Sequence, residues 1–211
     1  MNRIALLLRR WAAHQFEVSE EELFGPLPRP ELVVTHDLDA IRKTRAIRFK
    51  QTAFQCFKTL RALARGRPRQ ALDNTRAALR FACQSPDYWH FEKIIDLEQS
   101  LGLRSHFNVY AGPLQHRSFR ERLIDPSYDP GDERLRRQLR QLARQGWTIG
   151  LHQGVNCWQD PETMLRERTR LEQALDVPIV TCRQHWLRFS WSRTWQAQEF
   201  AGFQLDTTLG F

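Results

Sequence analysis

Short apolar runs alternate with longer amphipathic stretches along this chain of 211 residues. Five runs read as strands: about Leu32 to His36, Arg104 to Tyr110, Trp147 to Leu151, Ile179 to Arg183 and Phe203 to Asp206. Helical spacing fills the gaps. Tyr88 to Leu101 is stopped by Gly102, and Asp132 caps a charged helix running to about Gln145 and ended by Gly146. Further helices are expected over roughly Pro161 to Leu175 and over Trp191 to Phe200. Such alternation predicts parallel strands joined by crossover helices, an α/β fold. Ahead of it, residues 1–30 read as a short amphipathic helix (Ile4, Leu7, Leu8, Trp11), an acidic stretch at Glu20-Glu21-Glu22, and a lead-in held extended by Pro26, Pro28 and Pro30. The α/β body spans 31–211. Gly112-Pro113, Asp125-Pro126 and Asp129-Pro130-Gly131 punctuate a long surface loop of the kind that rims a site.

One segment departs from that rhythm. Residues 41–84 read as two helices hinged at Gly66-Arg67-Pro68, an insertion in the body. Phe54, Phe57, Leu60 and Leu63 recur at helical spacing and form one apolar face, which is expected to pack on the domain, as such faces usually do. The competing reading is a basic amphipathic surface that lies on anionic lipid or polymer.

Charge sharpens the contrast. The net charge is +8, and Arg42, Lys43, Arg45, Arg48, Lys50, Lys58, Arg61, Arg65, Arg67, Arg69, Arg76 and Arg80 face the single acid Asp73 within this block. The remainder is close to neutral. Nucleic acid is electrostatically conceivable, but the segment carries no recognisable reader motif, so such a partner is not expected. A hydrophobic content of 41% with 27% charged residues describes a globular chain rather than a disordered one. No apolar run approaches the ~20 residues of a membrane span. The apolar core of Met1 to Arg10 is too short for a secretory signal, so cytoplasmic residence is expected, with a peripheral position on the inner membrane open through residues 41–84. Cys56, Cys83, Cys157 and Cys182 form no C-x-x-C pair, which suits a reducing compartment.

Polar residues gather where the strands end. Asp37 and Asp39 follow the first strand, His152 the third, Arg183 and His185 the fourth, and Asp206 the fifth. Parallel α/β folds work at the C-terminal ends of their strands. Residues two apart on a strand share a face, so Asp37 and Asp39 could both reach one ion or one water, although Asp is also common in turns. Two carboxylates so close resist joint ionisation, and something positive should lie between them.

Four stretches carry a family resemblance. Thr35-His36-Asp37-Leu38-Asp39, Ile149-Gly150-Leu151-His152-Gln153-Gly154-Val155-Asn156, Arg183-Gln184-His185-Trp186 and Phe203-Gln204-Leu205-Asp206-Thr207-Thr208-Leu209 resemble successive motifs of the polysaccharide deacetylases, the NodB-homology or carbohydrate esterase family 4 group. The likeness is to a deviant branch found with envelope polysaccharide biosynthesis. It implies an irregular (β/α) barrel, one divalent metal ion with zinc the first choice, and hydrolysis of an N-acetyl group from an amino sugar or its polysaccharide precursor. By position, Asp37 matches the general base, Asp39 the metal carboxylate, His152 the first histidine ligand and Arg183 the arginine that pairs with the base. Trp186 falls where an aromatic follows the arginine near the oxyanion-stabilising backbone, which makes it a candidate substrate contact. A metal with open positions and a carboxylate kept ionised by arginine suit such chemistry. A catalytically inactive relative, a carbohydrate-binding or membrane-peripheral scaffold protein, is the alternative.

The chain departs from the family in two places. The second histidine of the family's pair is Asn156 here; residues four apart face alike on a helical turn, so Asn156 is the expected third ligand, though an amide oxygen binds zinc-like ions more weakly. His185 could compensate or could be a packed histidine beside Trp186. Asp206 either hydrogen-bonds across the site or caps the next turn. The family's general-acid histidine belongs to a later strand than any before Phe211, so the barrel is expected to be incomplete at its C-terminus. Trp158, Trp191 and Trp195 either line a sugar cleft or pack internally.

Overall fold

The computed structural model of the chain describes residues 2–27, 32–115 and 117–209. It divides into two units, Met1–Val33 with Leu209–Phe211, and Val34–Thr208. In the first, helix α1 (Asn2–Gln15) is followed by α2 (Glu20–Phe24), whose N-terminus is capped by the Ser19 hydroxyl accepting from the Glu22 N–H. Pro28, Pro30 and Phe211 lie outside the described residues.

The second unit is built on five parallel strands: β1 (Thr35–Leu38), β2 (His106–Tyr110), β3 (Thr148–Gln153), β4 (Thr181–Gln184) and β5 (Leu205–Asp206), in that spatial order. Strand β1 starts later than its apolar lead-in suggests, because pairing with β2 begins at Thr35 opposite His106. Helices α3 (Arg45–Ala64), α4 (Pro68–Cys83) and α5 (Phe91–Ser100) separate β1 from β2. The surface loop that follows β2 holds a helix absent from the sequence reading, α6 (Phe119–Ile124). Ser118 and Glu121 close it with a reciprocal capping box. Helix α7 (Glu133–Arg144) precedes β3, α8 (Pro161–Leu175) precedes β4, and α9 (Thr194–Phe200) precedes β5. Asp132 accepts from the Arg134 and Leu135 N–H groups and so starts α7 where its spacing predicts.

The core lies between the sheet and its helices. Leu135, Leu139 and Leu142 of α7, each fully buried, meet Phe107 and Val109 of β2 and Leu151 of β3. Beside them Glu98, buried on α5, accepts from Trp147 Nε1 (2.7 Å) and Ser105 Oγ (2.9 Å) and lies 2.6 Å from His36 Nε2. His36 therefore faces a buried carboxylate away from the strand ends.

In a flat sheet β1 and β4 would stand about 14 Å apart. Arg183 on β4 nevertheless reaches Asp37 on β1 at 3.0 Å, so the sheet curls toward its C-terminal mouth. It curls as a barrel wall does, and among the described residues it is an open sheet with β1 and β5 at its edges.

The helical insertion differs from its expected packing. Arg65–Arg67 turns α3 back on α4, and the seam between them is made of small residues: Ala62, Ala71 and Ala78 are buried, and the Thr59 and Thr75 hydroxyls lie 3.4 Å apart. Phe54, Phe57, Leu60 and Leu63 are exposed. Periodicity reveals that a face exists; it does not say what covers it.

Candidate metal centre

Three strand ends supply the centre. The chain tightens after β1, with the Asp39 N–H bonded to the Asp37 carbonyl at 3.1 Å, and this aims the two carboxylates at different partners. Asp39 turns toward His152 at the end of β3, with Oδ1 3.4 Å from Nε2. His185, in the 3-10 turn that follows β4, brings its own Nε2 to 3.9 Å from the same oxygen. One ligating atom from each of Asp39, His152 and His185 lies within 4.8 Å of the others. Both imidazoles are buried, their ring centroids 4.7 Å apart, while Asp39 faces solvent.

The far nitrogen of each ring is held. His152 Nδ1 lies 3.2 Å from the Arg183 carbonyl, and His185 Nδ1 lies 2.8 Å from Asp125 Oδ1. A carbonyl can only accept, so the proton of His152 belongs on Nδ1; a carboxylate places the His185 proton likewise. Each Nε2 lone pair then points at Asp39. Metal-binding histidines are held in this way, with the second nitrogen donating to a carbonyl or carboxylate. Two imidazoles and a carboxylate with open positions are a donor set suited to a zinc-like ion, so the residues fit the group the family resemblance implies. When Nε2 carries the ring's second proton, the His152 imidazole hydrogen-bonds Asp39 and holds its carboxyl below the usual carboxylate range, against the opposing effect of desolvation.

Asp37 has other partners. Arg183 Nε stands 3.0 Å from Oδ2, and Asn108 on β2 donates from Nδ2 to Oδ1 at 2.9 Å. The Arg183 Nε–H makes no aligned hydrogen bond, so charge rather than direction holds that pair. Its Nη1 donates to the Thr35 hydroxyl (3.2 Å) and the Thr207 carbonyl (3.1 Å), which fix the guanidinium across the mouth. Gly150 beneath leaves room for this polar layer: a Cβ there would stand 2.5 Å from both Asn108 Oδ1 and Thr181 Oγ1.

Asn156 is engaged elsewhere. Its Nδ2 donates to Glu121 Oε1 at 2.9 Å and its Oδ1 accepts from Arg188 at 3.3 Å. Residues four apart face alike only on a helical turn, but β3 continues to Gln153 and a 3-10 turn begins only at Cys157. The group beside Asp39 and His152 is His185. Asp206 accepts from the Thr208 backbone N–H at 2.8 Å and from the Thr208 hydroxyl, a local turn at the end of β5.

A cleft of about 260 Å³ opens on the centre, bordered by Asp39, Lys50, Asp125, His185 and Trp186. Trp186 is exposed, and it and Leu187 adopt left-handed backbone angles (φ 60° and 52°), strain of the kind that gathers at working sites. Trp191 and Trp195 pack edge to face with centroids 4.8 Å apart, and both are exposed.

Three contributors escaped the sequence reading. Asp125, buried at the end of α6, accepts from the Val155 N–H (3.0 Å) besides meeting His185; in sequence it read only as loop punctuation before a proline. Asn108 sits inside a strand, where its polarity was the available signal. Glu167 on α8 lies fully enclosed, accepting from the Gly154 N–H (3.1 Å) and the Cys157 thiol (3.1 Å), and burial pushes its carboxyl up to about 7.

No protein-family model matches the chain, and no curated protein matches it. Among solved structures the chain is similar to one described as "Crystal structure of putative polysaccharide deacetylase from Mycobacterium smegmatis", with 18% identity and a TM-score of 0.44. That alignment covers 86% of this chain and 53% of the other, so this chain spans about half the length of that protein. Among the described residues no helix is long and apolar enough to cross a membrane.

Proposed function

We propose that this chain is a metal-dependent hydrolase of the polysaccharide-deacetylase type, which removes the acetyl group from an N-acetylated amino sugar of an envelope polysaccharide or its precursor. The observation that carries the reading is the convergence of Asp39, His152 and His185 to within 4.8 Å, beside a separate carboxylate paired with arginine. The four sequence motifs supply the substrate class.

Asp39, His152 and His185 would hold the ion, with His185 taking the part expected of Asn156. A divalent cation bound there would polarise the amide carbonyl and lower the pKa of water. Asp37 takes the proton from the attacking water at a carboxylate oxygen. Arg183 lies against that carboxylate as its counter-charge, and the Asn108 amide fixes its direction. Asp125 and the Arg183 carbonyl keep the two imidazoles in the ligating tautomer. Trp186 offers an exposed ring at the cleft edge for a pyranose face.

Zinc titration with direct metal analysis tests the centre: one ion per chain is expected, lost in Asp39→Ala, His152→Ala and His185→Ala but kept in Asn156→Ala. Acetate release from N-acetylglucosamine oligomers tests the chemistry, and Asp37→Asn should reduce it by about 10²–10⁴ while metal stays bound. Metal uptake indifferent to all three ligand substitutions would end the proposal. Metal bound tightly with no acetate from any N-acetylated sugar would leave the carbohydrate-binding relative.

A further inference from the structure

The α3–α4 hairpin is built inside out. Its seam holds alanines and threonines, whereas its large apolar side chains point away from the protein: Phe49 is 76% exposed, Phe57 57%, Leu60 66% and Leu79 62%. At 3.6 residues per turn, Leu63, Phe49, Leu60 and Phe57 fall within about 120° of arc on α3. Arg45 and Arg48 border that arc on one side, Arg61 and Lys58 on the other, and all four are exposed. Helix α4 repeats the pattern, with exposed Leu72 and Leu79 among Arg69, Arg76 and Arg80.

We propose that this hairpin docks on the surface of an anionic lipid bilayer, with its aromatic and leucine side chains in the acyl boundary and its arginines and lysines at the phosphates. Charge chooses the occupant. A second copy of the hairpin would set two strongly basic faces together with only Asp73 to oppose them, which Coulomb repulsion resists. A protein groove would have to be apolar along its floor and acidic along both rims. An anionic bilayer offers that layered chemistry everywhere, and amphipathic helices with Phe/Leu on one face and Lys/Arg around it take this position. The docking is peripheral, since neither helix can span a bilayer. It does not rest on the metal centre.

Flotation of the full chain with phosphatidylcholine vesicles, with and without about a quarter phosphatidylglycerol, tests the proposal. Binding should rise at least about tenfold on the anionic vesicles and fall again as salt screens it. Phe57→Ser with Leu60→Ser should abolish most of it. Both residues are exposed, so circular dichroism melting and zinc stoichiometry should match the parent and show that the fold survives. Phe57→Trp should gain emission that brominated phosphatidylglycerol quenches, locating insertion at the hairpin. Equal binding by the double serine variant, loss only with Leu7→Ser and Trp11→Ser in α1, or a dimer in sedimentation that the same hairpin substitutions dissolve would each overturn the proposal.

Discussion

Helices α7 and α3 carry the same kind of apolar stripe and meet opposite fates. On α7, Leu135, Leu139 and Leu142 are fully buried against strands β2 and β3. On α3, Phe57 and Leu60 stand in solvent at 57% and 66% exposure. The difference lies in their neighbours. Helix α7 crosses between adjacent strands and must cover the sheet they form, whereas α3 leaves β1 and turns back on α4 through a seam of small residues. A stripe therefore reports a need for cover, and the topology decides whether the protein itself supplies it.

Substitution can break that contrast. Leu139→Ala should cost about 2–5 kcal/mol in denaturant unfolding, because the cavity lies in a packed core. A cost below about 1 kcal/mol would mean that α7 is no better covered than α3.

The buried Glu167 sharpens the same division, since only the covered side of the molecule can shift a carboxyl this far. Its folded-state value, about 7, lies above that of an exposed glutamate, so the folded chain holds the proton more tightly. The stability this gives is complete below about pH 4.5 and is lost as pH rises through about 7. Glu167→Gln should flatten that decline, gaining on the parent by about 3 kcal/mol between pH 4 and pH 8 in the metal-free protein. Parallel stability curves for the two proteins would contradict it.

Asp125 tests whether the covered region positions the centre. Asp125→Asn should weaken zinc binding by about 10–100-fold while stoichiometry stays at one ion per chain. An unchanged affinity would reduce Asp125 to a loop anchor. The smallest effect belongs to the exposed stripe: Leu60→Ala should move stability by no more than about 0.5 kcal/mol. A larger loss would show that the hairpin packs on something in solution.

Much of this architecture was legible from local chemistry. Asp132 and Gly146 bounded α7, Pro161 opened α8, and Gly66-Arg67-Pro68 turned the hairpin where expected, because caps and turn residues act within a few positions. Strand edges were less legible. Thr35 begins β1 because His106 lies opposite, a fact stored about seventy residues away. Helix α6 carries a Ser118-x-x-Glu121 signature, but it is only six residues long and lies among prolines that read as loop. Asp39, His152 and Arg183 could be picked out as polar residues at strand ends. Asn156 could not be judged, because its role depended on whether the chain coiled after His152. His185 supports two readings in sequence because Asp125, which orients its ring, sits sixty residues away.

The span from Asp37 to Arg183 has a consequence for assembly. Arg183 bonds Thr35 across a sequence separation of 148 residues, and the ligands come from the ends of the first, third and fourth strands. No nascent or frayed intermediate that lacks β4 can hold a guanidinium over Asp37 or present both imidazoles to Asp39. The candidate centre is therefore a product of the whole curled wall, and none of its three-strand convergence can form before β4 has joined β3.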